Sequence, residues 1–455
     1  MNFDNKKRST DNYPGQIAPP ENKWKEKIPA FDELFRFDGP PDATVTVGGH
    51  DFLYFGGDGY LGLQANPEVL AATCEAVLQH GVSSATSRRH YTSSPVWEVE
   101  KLAARMFNTQ NAFYCSSEDK LFEVLLESLD QTFEQVFIDE ACNPFIFRTI
   151  EKLLGNRCPV HAFRHQDTKQ LTQLLREQLE PGDRPLLVTE GVFPALGTTA
   201  PLDKYSKILS RYDDSSMLVE DSHGFGVLGR CGLGTLEHFK FDMTKINQTR
   251  NDLYQEDTFS PDLDFTPEAF LDGTAPVLPQ SPRHSAKDRQ GNSPALPVRV
   301  YWMTSLSKAI GGFGGMLPGS NLFVERLTEL ATRSGVGVPP SPLAAATAKS
   351  LELSFTDSSI RKKLIRNTKY FKRGLKQLGF LITESPVPVI PIRLGSSQNM
   401  RRIQQLLSRR QILISYMPRQ KNLGSQGALR ITIFSTHSKR MLDSFLKELA
   451  ETIAK

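Results

Sequence analysis

Long apolar runs and a strong charge of one sign are both missing from this chain of 455 residues. No stretch approaches the roughly 20 apolar residues that a membrane-spanning helix needs. The formal net charge is only +3, from 54 basic and 51 acidic side chains, and no basic stripe is visible. We therefore expect no membrane span and no nucleic-acid partner. The polar start, "MNFDNKKRSTDNYPGQ", is not expected to be a secretory signal, because no apolar segment follows its charges.

Cysteine is scarce, and its spacing is as informative as its number. The five cysteines are scattered along the chain and never form a CxxC pair. An odd number of unpaired cysteines favours reduced thiols over a disulfide framework or a zinc site. We therefore predict a cytoplasmic location and no metal site.

Short apolar runs alternate with helical patterns over most of the chain, and this alternation indicates the fold class. The strand candidates are "AFYC", "QVFI", "PLLVT", "SMLV" and "VRVYWM". Amphipathic stretches such as "VWEVEKLAARMF" and "DKYSKILSRY" lie between them. The pattern predicts an α/β fold with a mostly parallel sheet covered by helices. In such sheets ligands bind beyond the carboxyl ends of the strands. Polar motifs follow all five candidates there: "SSED", "DEACN", "EGVF", "EDSHGFG" and "TSLSK".

Composition divides the chain into three predicted parts. Residues 1–49 are an N-terminal arm with elements of a small domain, 50–340 a large domain, and 341–455 a smaller α+β domain. Within the large domain, residues 240–297 are rich in Pro, Asp, Ser, Asn and Gln, which predicts a largely disordered insertion.

One helix is well signalled, in "NPEVLAATCEAVLQHG". Asn66 can cap its start, and Gly81 can close its end. Helical periodicity predicts that its buried stripe consists of Val69, Leu70, Thr73, Cys74, Val77 and Leu78.

Lys308 lies in "TSLSKAIGGFGG", directly after an apolar strand candidate and before a glycine run. A phosphate loop is excluded, because the glycines follow the lysine and no GxxxxGK[ST] occurs. A lone lysine is usually a solvated charge, but this one is predicted to lie at a strand's carboxyl end. An amine at this place suits a Schiff-base lysine for pyridoxal phosphate. The hydroxyls of Ser305 and Ser307 lie beside it in the sequence, and the glycines could close around a flat ring.

The run "VEDSHGFGVLG" offers groups that would complete such a site. Glu220 or Asp221 could place a carboxylate against the pyridine nitrogen, which keeps the ring an electron sink. His223 could hydrogen-bond the phenolic oxygen of the ring. Alone, an acid and a histidine at a strand end are as often a local cap or a metal ligand.

Five segments of the chain occur in the order and approximate spacing of one enzyme family: "YFGGDGYLGL", "TEGVF", "APL", "VEDSHGFGVLGRCGLG" and "SLSKAIGGFGG". From about residue 50 to the C-terminus, the chain thereby resembles the α-oxoamine synthases. The family consists of fold-type I pyridoxal-phosphate enzymes, and it includes 8-amino-7-oxononanoate synthase and serine palmitoyltransferase. The resemblance implies a homodimer that condenses a small amino acid with an acyl-CoA or acyl-carrier thioester.

The resemblance also implies roles for individual residues. Lys308 and His223 would be catalytic, and Arg430, in "ALRITIF", would grip the carboxylate of the amino acid. The implied cofactor contacts are Glu220, Asp221, Asn143, Ser116, Ser117 and Ser305.

Several of these positions depart from the family's usual pattern. Glu220 stands where an aspartate usually faces the ring nitrogen, and Asn143 where a histidine usually stacks on the ring. Asp58 stands where an asparagine usually meets the substrate carboxylate. Glu118 and Asp119 bring negative charge to the turn expected to cradle the phosphate dianion.

These departures leave three functions open. The first is an active acyltransferase of the 8-amino-7-oxononanoate synthase type. The second is a degenerate relative that acts as a partner or regulatory subunit, and the third is another pyridoxal-phosphate reaction, such as transamination or aldol-type cleavage. Glu118 and Asp119 separate the first two, since carboxylates that enter the phosphate position would oppose cofactor binding.

Overall fold

A seven-stranded sheet lies at the centre of the computed structural model, which describes residues 35–83, 92–248, 298–418 and 424–454. Its strand order is β3-β11-β10-β9-β6-β4-β5. The bounds are β3 Asn111–Cys115, β4 Gln135–Asp139, β5 Val160–Phe163, β6 Pro185–Glu190, β9 Ser216–Glu220, β10 Arg299–Ser305 and β11 Gly315–Gly319.

Five of these strands are parallel neighbours, from β10 through β9, β6 and β4 to β5. Strand β11 is antiparallel to both β10 and β3, so β3 runs in the same direction as the parallel set. Strands β4, β6 and β9 are buried along their whole length, as expected for a parallel sheet with both faces covered.

Helices cover the sheet and continue into the C-terminal part of the chain. Their bounds are α1 Pro67–His80, α2 Ser94–Phe107, α3 Glu118–Ser128, α4 Pro144–Leu154, α5 Thr168–Gln178, α6 Leu202–Leu209, α7 Thr235–His238, α8 Asn321–Arg333, α9 Ser341–Thr356, α10 Ser358–Gln377, α11 Ser397–Ser408 and α12 Lys439–Ile453.

Two smaller sheets use the remaining long strands. Strands β1 (Thr44–Val47) and β2 (His50–Tyr54) join β13 (Ile412–Leu413), so an early segment pairs with a late one. Strands β12 (Val389–Ile392), β14 (Ser415–Met417) and β15 (Ala428–Thr432) form the other sheet. A two-stranded ribbon, β7 (Val192–Phe193) with β8 (Thr198–Thr199), follows β6.

The predicted fold class is confirmed, because all five strand candidates lie in the central sheet. Residues 37–455 form one compact unit, so the division near residue 340 stays a prediction. Much of the predicted insertion, residues 249–297, lies outside the described residues. Its first nine residues, 240–248, pack against the sheet instead: Ile246 bridges Val300, and Asn247 is fully buried.

The predicted buried stripe of α1 is wrong for most of its members. Asn66 caps the helix and Gly81 ends it as expected, and Val69 is buried. However, Cys74 is exposed, and Leu70, Val77 and Leu78 are 43%, 38% and 88% exposed. The helix packs against α9 through the side that carries Val69 and Ala76, which leaves the other apolar side uncovered.

Candidate active site

The carboxyl ends of four strands meet at one edge of the central sheet. Glu220 ends β9 and is in register with Glu190 at the end of β6 and with Met303 of β10. Cys115 at the end of β3 is in register with Gly315, which also pairs with Ser305 at the end of β10. The polar motifs after these strands therefore converge, as the sequence predicted.

Lys308 follows β10 in a tight loop held by serine hydroxyls and glycines. The Ser305 and Ser307 hydroxyl oxygens lie 2.8 Å apart. A Cβ on Gly314, whose φ is 81°, would lie 2.1 Å from the Cys115 carbonyl oxygen. The glycines thus allow the backbone to pack on itself, whereas the sequence led us to expect them to close around a ring.

Asp58 stands between the two cations of the site. Its Oδ1 accepts a hydrogen bond from Nη2 of Arg430, and its Oδ2 lies 3.8 Å from Nζ of Lys308. Burial alone would raise the pKa of Asp58, but the positive charge of Arg430 and smaller contributions from His223 and Lys308 outweigh it and lower the pKa to about 2. Asp58 is therefore a permanent anion at neutral pH.

His223 joins this cluster through Tyr60. The Tyr60 hydroxyl lies 2.6 Å from Nδ1 of His223 and donates a longer, 3.4 Å hydrogen bond to Oδ1 of Asp58. Burial lowers the pKa of His223 to about 3, so the imidazole is neutral. Burial also raises the pKa of Tyr60 well above its ordinary value, which keeps the phenol protonated.

A second cluster consists of the carboxyl groups of Glu118, Glu190 and Glu220 around Ser222. Oε1 of Glu220 accepts hydrogen bonds from the Ser222 backbone N–H, at 2.8 Å, and from its hydroxyl. The same hydroxyl oxygen lies 3.2 Å from Oε1 of Glu118. Burial, together with the charges of Glu118 and Glu190, raises the pKa of Glu220 well above its ordinary value.

The two clusters are linked across the ends of β9 and β10. The backbone N–H of Ser305 donates to the Ser222 hydroxyl oxygen at 2.7 Å. Burial also raises the pKa of Glu190, whose carboxylate accepts a 2.6 Å hydrogen bond from the Asn143 backbone N–H. The single hydroxyl proton of Ser222 can be donated to only one of the two acids, Glu118 or Glu220.

Asp221 is not brought into either cluster. Its Oδ2 accepts hydrogen bonds from the backbone N–H of Thr235, at 2.7 Å, and from Nε1 of Trp302, at 3.1 Å. Glycines 191, 224 and 234 pack against the carboxyl group, which is fully buried. Asp221 is thus held by Thr235 and Trp302, whereas Glu220 belongs to the cluster around Ser222.

Three other predicted cofactor contacts hydrogen-bond with nearby backbone. The Asn143 side chain accepts from the N–H of Phe145 and so caps its own helix, α4. The Ser117 hydroxyl accepts from the N–H of Lys120 and caps α3. The Ser116 hydroxyl donates to the carbonyl oxygen of Gly337 at 3.1 Å.

Sequence reasoning missed three members of the site, although each lies in a motif that drew attention. Tyr60 is in "GGDGYLGL", Glu190 in "EGVF" and Ser222 in "EDSHGFG". Their position directly after a strand or in a glycine-rich turn was the available signal. Among the described residues, no group of three or more histidine, cysteine or acidic side chains is placed to hold a metal ion.

Comparisons with known proteins find relatives that match over most of the chain. A profile of the aminotransferase class I and II family matches residues 264–449. The chain is 27% identical to 8-amino-7-oxononanoate synthase from Nitrosococcus oceani, over 92% of this chain and 97% of that protein. It is also 27% identical to the synthase of that name from Cellvibrio japonicus, over 91% and 90%.

Solved structures show the same fold. Serine palmitoyltransferase from Sphingomonas wittichii superposes with a TM-score of 0.72 at 19% identity, covering 92% of this chain and 91% of that one. An 8-amino-7-oxononanoate synthase from Francisella tularensis gives a TM-score of 0.65 at 18% identity, covering 89% and 98%. No helix in the described part of the chain is long and apolar enough to cross a membrane.

Proposed function

We propose that this chain, a relative of the α-oxoamine synthases with the fold-type I architecture, is a pyridoxal-phosphate-dependent acyltransferase. Its substrates would be a small amino acid or a close derivative and an acyl thioester, on CoA or on a carrier protein. The curated relatives named 8-amino-7-oxononanoate synthase, which match over most of the chain, support this proposal. The observation that carries it is the convergence at one sheet edge of Glu220 and Ser305, linked through Ser222, and of Lys308 and His223, linked through Asp58 and Tyr60.

The chemistry of these side chains fits pyridoxal phosphate. Lys308 offers an amine for the aldehyde, Ser305 and Ser307 offer hydroxyls for the phosphate, and Glu220 offers a buried acid for the ring nitrogen. When bound, the cofactor would supply an aldehyde that captures amines and a ring that withdraws electrons from the neighbouring carbon. The charge of Glu118, whose carboxylate contacts the Ser222 hydroxyl, would oppose a bound phosphate.

The remaining side chains would orient the substrate and handle protons. Lys308 would accept a proton from the α-carbon of the substrate, and the Asp58 carboxylate, 3.8 Å from its Nζ, would help to orient the amine. The neutral imidazole of His223, oriented by Tyr60, can hydrogen-bond an oxygen of the bound molecules. Arg430, which is paired with Asp58, would donate a hydrogen bond to an oxygen of the substrate.

The site is proposed to work in a homodimer in the cytoplasm. Helix α1 exposes an apolar side, with Leu70, Val77 and Leu78 exposed, and uncovered apolar patches commonly mark protein interfaces. Sedimentation of the wild type and of Leu78→Glu tests this, and we expect the variant to shift towards monomer. The scattered cysteines, which form no disulfide in the described part of the chain, support the cytoplasmic location.

A second candidate function is a non-catalytic partner or regulatory subunit. The contact between Glu118 and the Ser222 hydroxyl favours it, because the carboxylate at the start of α3 points towards the acid expected to meet the cofactor ring. In that case the chain would neither bind the cofactor nor turn over a thioester.

A thiol-release assay tests the acyltransferase proposal. Purified protein with pyridoxal phosphate would be given acyl-CoA donors of several lengths, together with alanine, glycine, serine or their amides. We expect free CoA to appear only when both an amine and an acyl donor are present. Lys308→Ala should abolish this release, whereas Lys204→Ala, on the exposed side of α6, should leave it unchanged. Equal release from wild type and Lys308→Ala would refute the proposal.

A further inference from the structure

We propose that Asp58 makes this site selective for an amine whose α-carbon bears a neutral carbonyl group, such as a carboxamide, in place of a carboxylate. The inference rests on the proposed function, since it concerns the amine substrate of the same site. It starts from the arrangement of charges around Arg430.

Arg430 already has an anionic partner within the chain. Its Nη2 donates to Oδ1 of Asp58, and its Nη1 donates to the carbonyl oxygen of Gly57 at 3.0 Å. The Thr432 hydroxyl donates to the same Gly57 oxygen at 3.0 Å, which fixes this turn against β15. The guanidinium side chain is 12% exposed, so it has little freedom to turn towards another anion.

Asp58 also faces the position where an amine substrate must arrive. Its second oxygen lies 3.8 Å from Nζ of Lys308, and the two side chains remain 29% and 27% exposed. A substrate bound near Lys308 therefore meets the carboxylate of Asp58 beside the guanidinium. A second carboxylate brought to this place would be repelled by Asp58 in a partly desolvated site, where such repulsion is poorly screened.

A carboxamide matches this pair of groups. Its oxygen can accept a hydrogen bond from Arg430, while its N–H₂ can donate to Asp58. Asp58 and Arg430 then both keep a partner, and no charge is left unbalanced. A carboxylate cannot donate to Asp58, so it forfeits one of these contacts and adds repulsion.

The test compares L-alanine with L-alaninamide, which have nearly the same shape and differ in the charge of the carbonyl group. Dissociation constants would be measured by calorimetry on protein loaded with pyridoxal phosphate, for the wild type and for Asp58→Asn. For each protein, the ratio of the dissociation constants for alaninamide and alanine is calculated. Comparing this ratio between the two proteins removes the effect of the different basicities of the two amines, because that effect is the same in both. Asp51→Asn is the charge-matched control, because Asp51 is an exposed carboxylate on β2 that accepts only from Thr46 among the contacts seen.

We expect the wild type to prefer alaninamide, and Asp58→Asn to shift the ratio towards alanine by at least about tenfold. Asp51→Asn should leave the ratio unchanged. The inference would be overturned if the wild type bound alanine more tightly than alaninamide and Asp58→Asn left the ratio of their dissociation constants unchanged. The proposed function would stay intact in that case. Protein that takes up no cofactor would instead overturn the proposed function, and the inference would fall with it.

Discussion

Replacing Glu118 by glutamine is expected to tighten cofactor binding, because Glu118 is the group whose charge opposes it. Oε1 of Glu118 lies 3.2 Å from the Ser222 hydroxyl oxygen, which also bonds to Glu220. After burial, the charge of Glu118 is the largest contribution that raises the pKa of Glu220, and it thus disfavours the carboxylate form that would balance a pyridinium.

The expected size of this effect follows from Coulomb's law. Two unit charges about 4 Å apart interact by about 4 kcal/mol at an effective dielectric constant of ~20. Glu118 is only partly buried, so solvent screening reduces the effect to about 1–2 kcal/mol. Since about 1.4 kcal/mol corresponds to tenfold in affinity, Glu118→Gln should lower the Kd for pyridoxal phosphate about tenfold.

The assay is a titration of the cofactor's visible absorbance with wild-type and variant protein. Asp119→Asn is the matched control, because it removes the same charge from the next residue of α3, where the side chain is exposed. Tighter binding by Glu118→Gln alone would support the reasoning. Equal dissociation constants for both variants and the wild type would refute it, and would show that the Glu118 charge is not felt at the cofactor.

Two further predictions concern stability. Asn247→Ala should destabilise the fold by about 3 kcal/mol, measured by urea unfolding. The fully buried Asn247 side chain makes three hydrogen bonds, to the Trp302 N–H, the Trp302 carbonyl and the Pro318 carbonyl. As a control, Gln248→Ala removes one solvent-exposed 3.1 Å hydrogen bond and should change the free energy of unfolding little. The free energy of unfolding should also fall as the pH drops from 6.5 to 4. Burial lowers the pKa of His437 to about 4 in the folded protein, so in this window the unfolded chain binds more protons than the folded one. His437→Gln should show a smaller loss over the same range, and parallel curves for variant and wild type would contradict this.

The central sheet could be predicted because its signal is local. Strands such as "PLLVT" and "SMLV" are continuous apolar runs followed by polar residues, and parallel strands bring those residues to one edge. The position of Lys308 at this edge follows from the same pattern. By contrast, the side of α1 that is buried depends on which face meets α9, and a helix with apolar residues on more than one side does not specify that face.

The charges within the site could not be predicted from the sequence. Asp58 and Arg430 are 372 positions apart, and their contact depends on how the turn after β2 packs against β15. The choice between Glu220 and Asp221 was open because adjacent residues at a strand end point to opposite sides. Packing decides it, since Trp302 and Thr235 hold Asp221 away from the site.

The most direct measurement is a peptide map of the protein after incubation with pyridoxal phosphate and reduction with borohydride. We expect a single pyridoxyl group, attached to Lys308, and none in Lys308→Ala protein treated in the same way. A map in which Lys308 stays unmodified, or in which it is modified no more than exposed lysines such as Lys204, would contradict it.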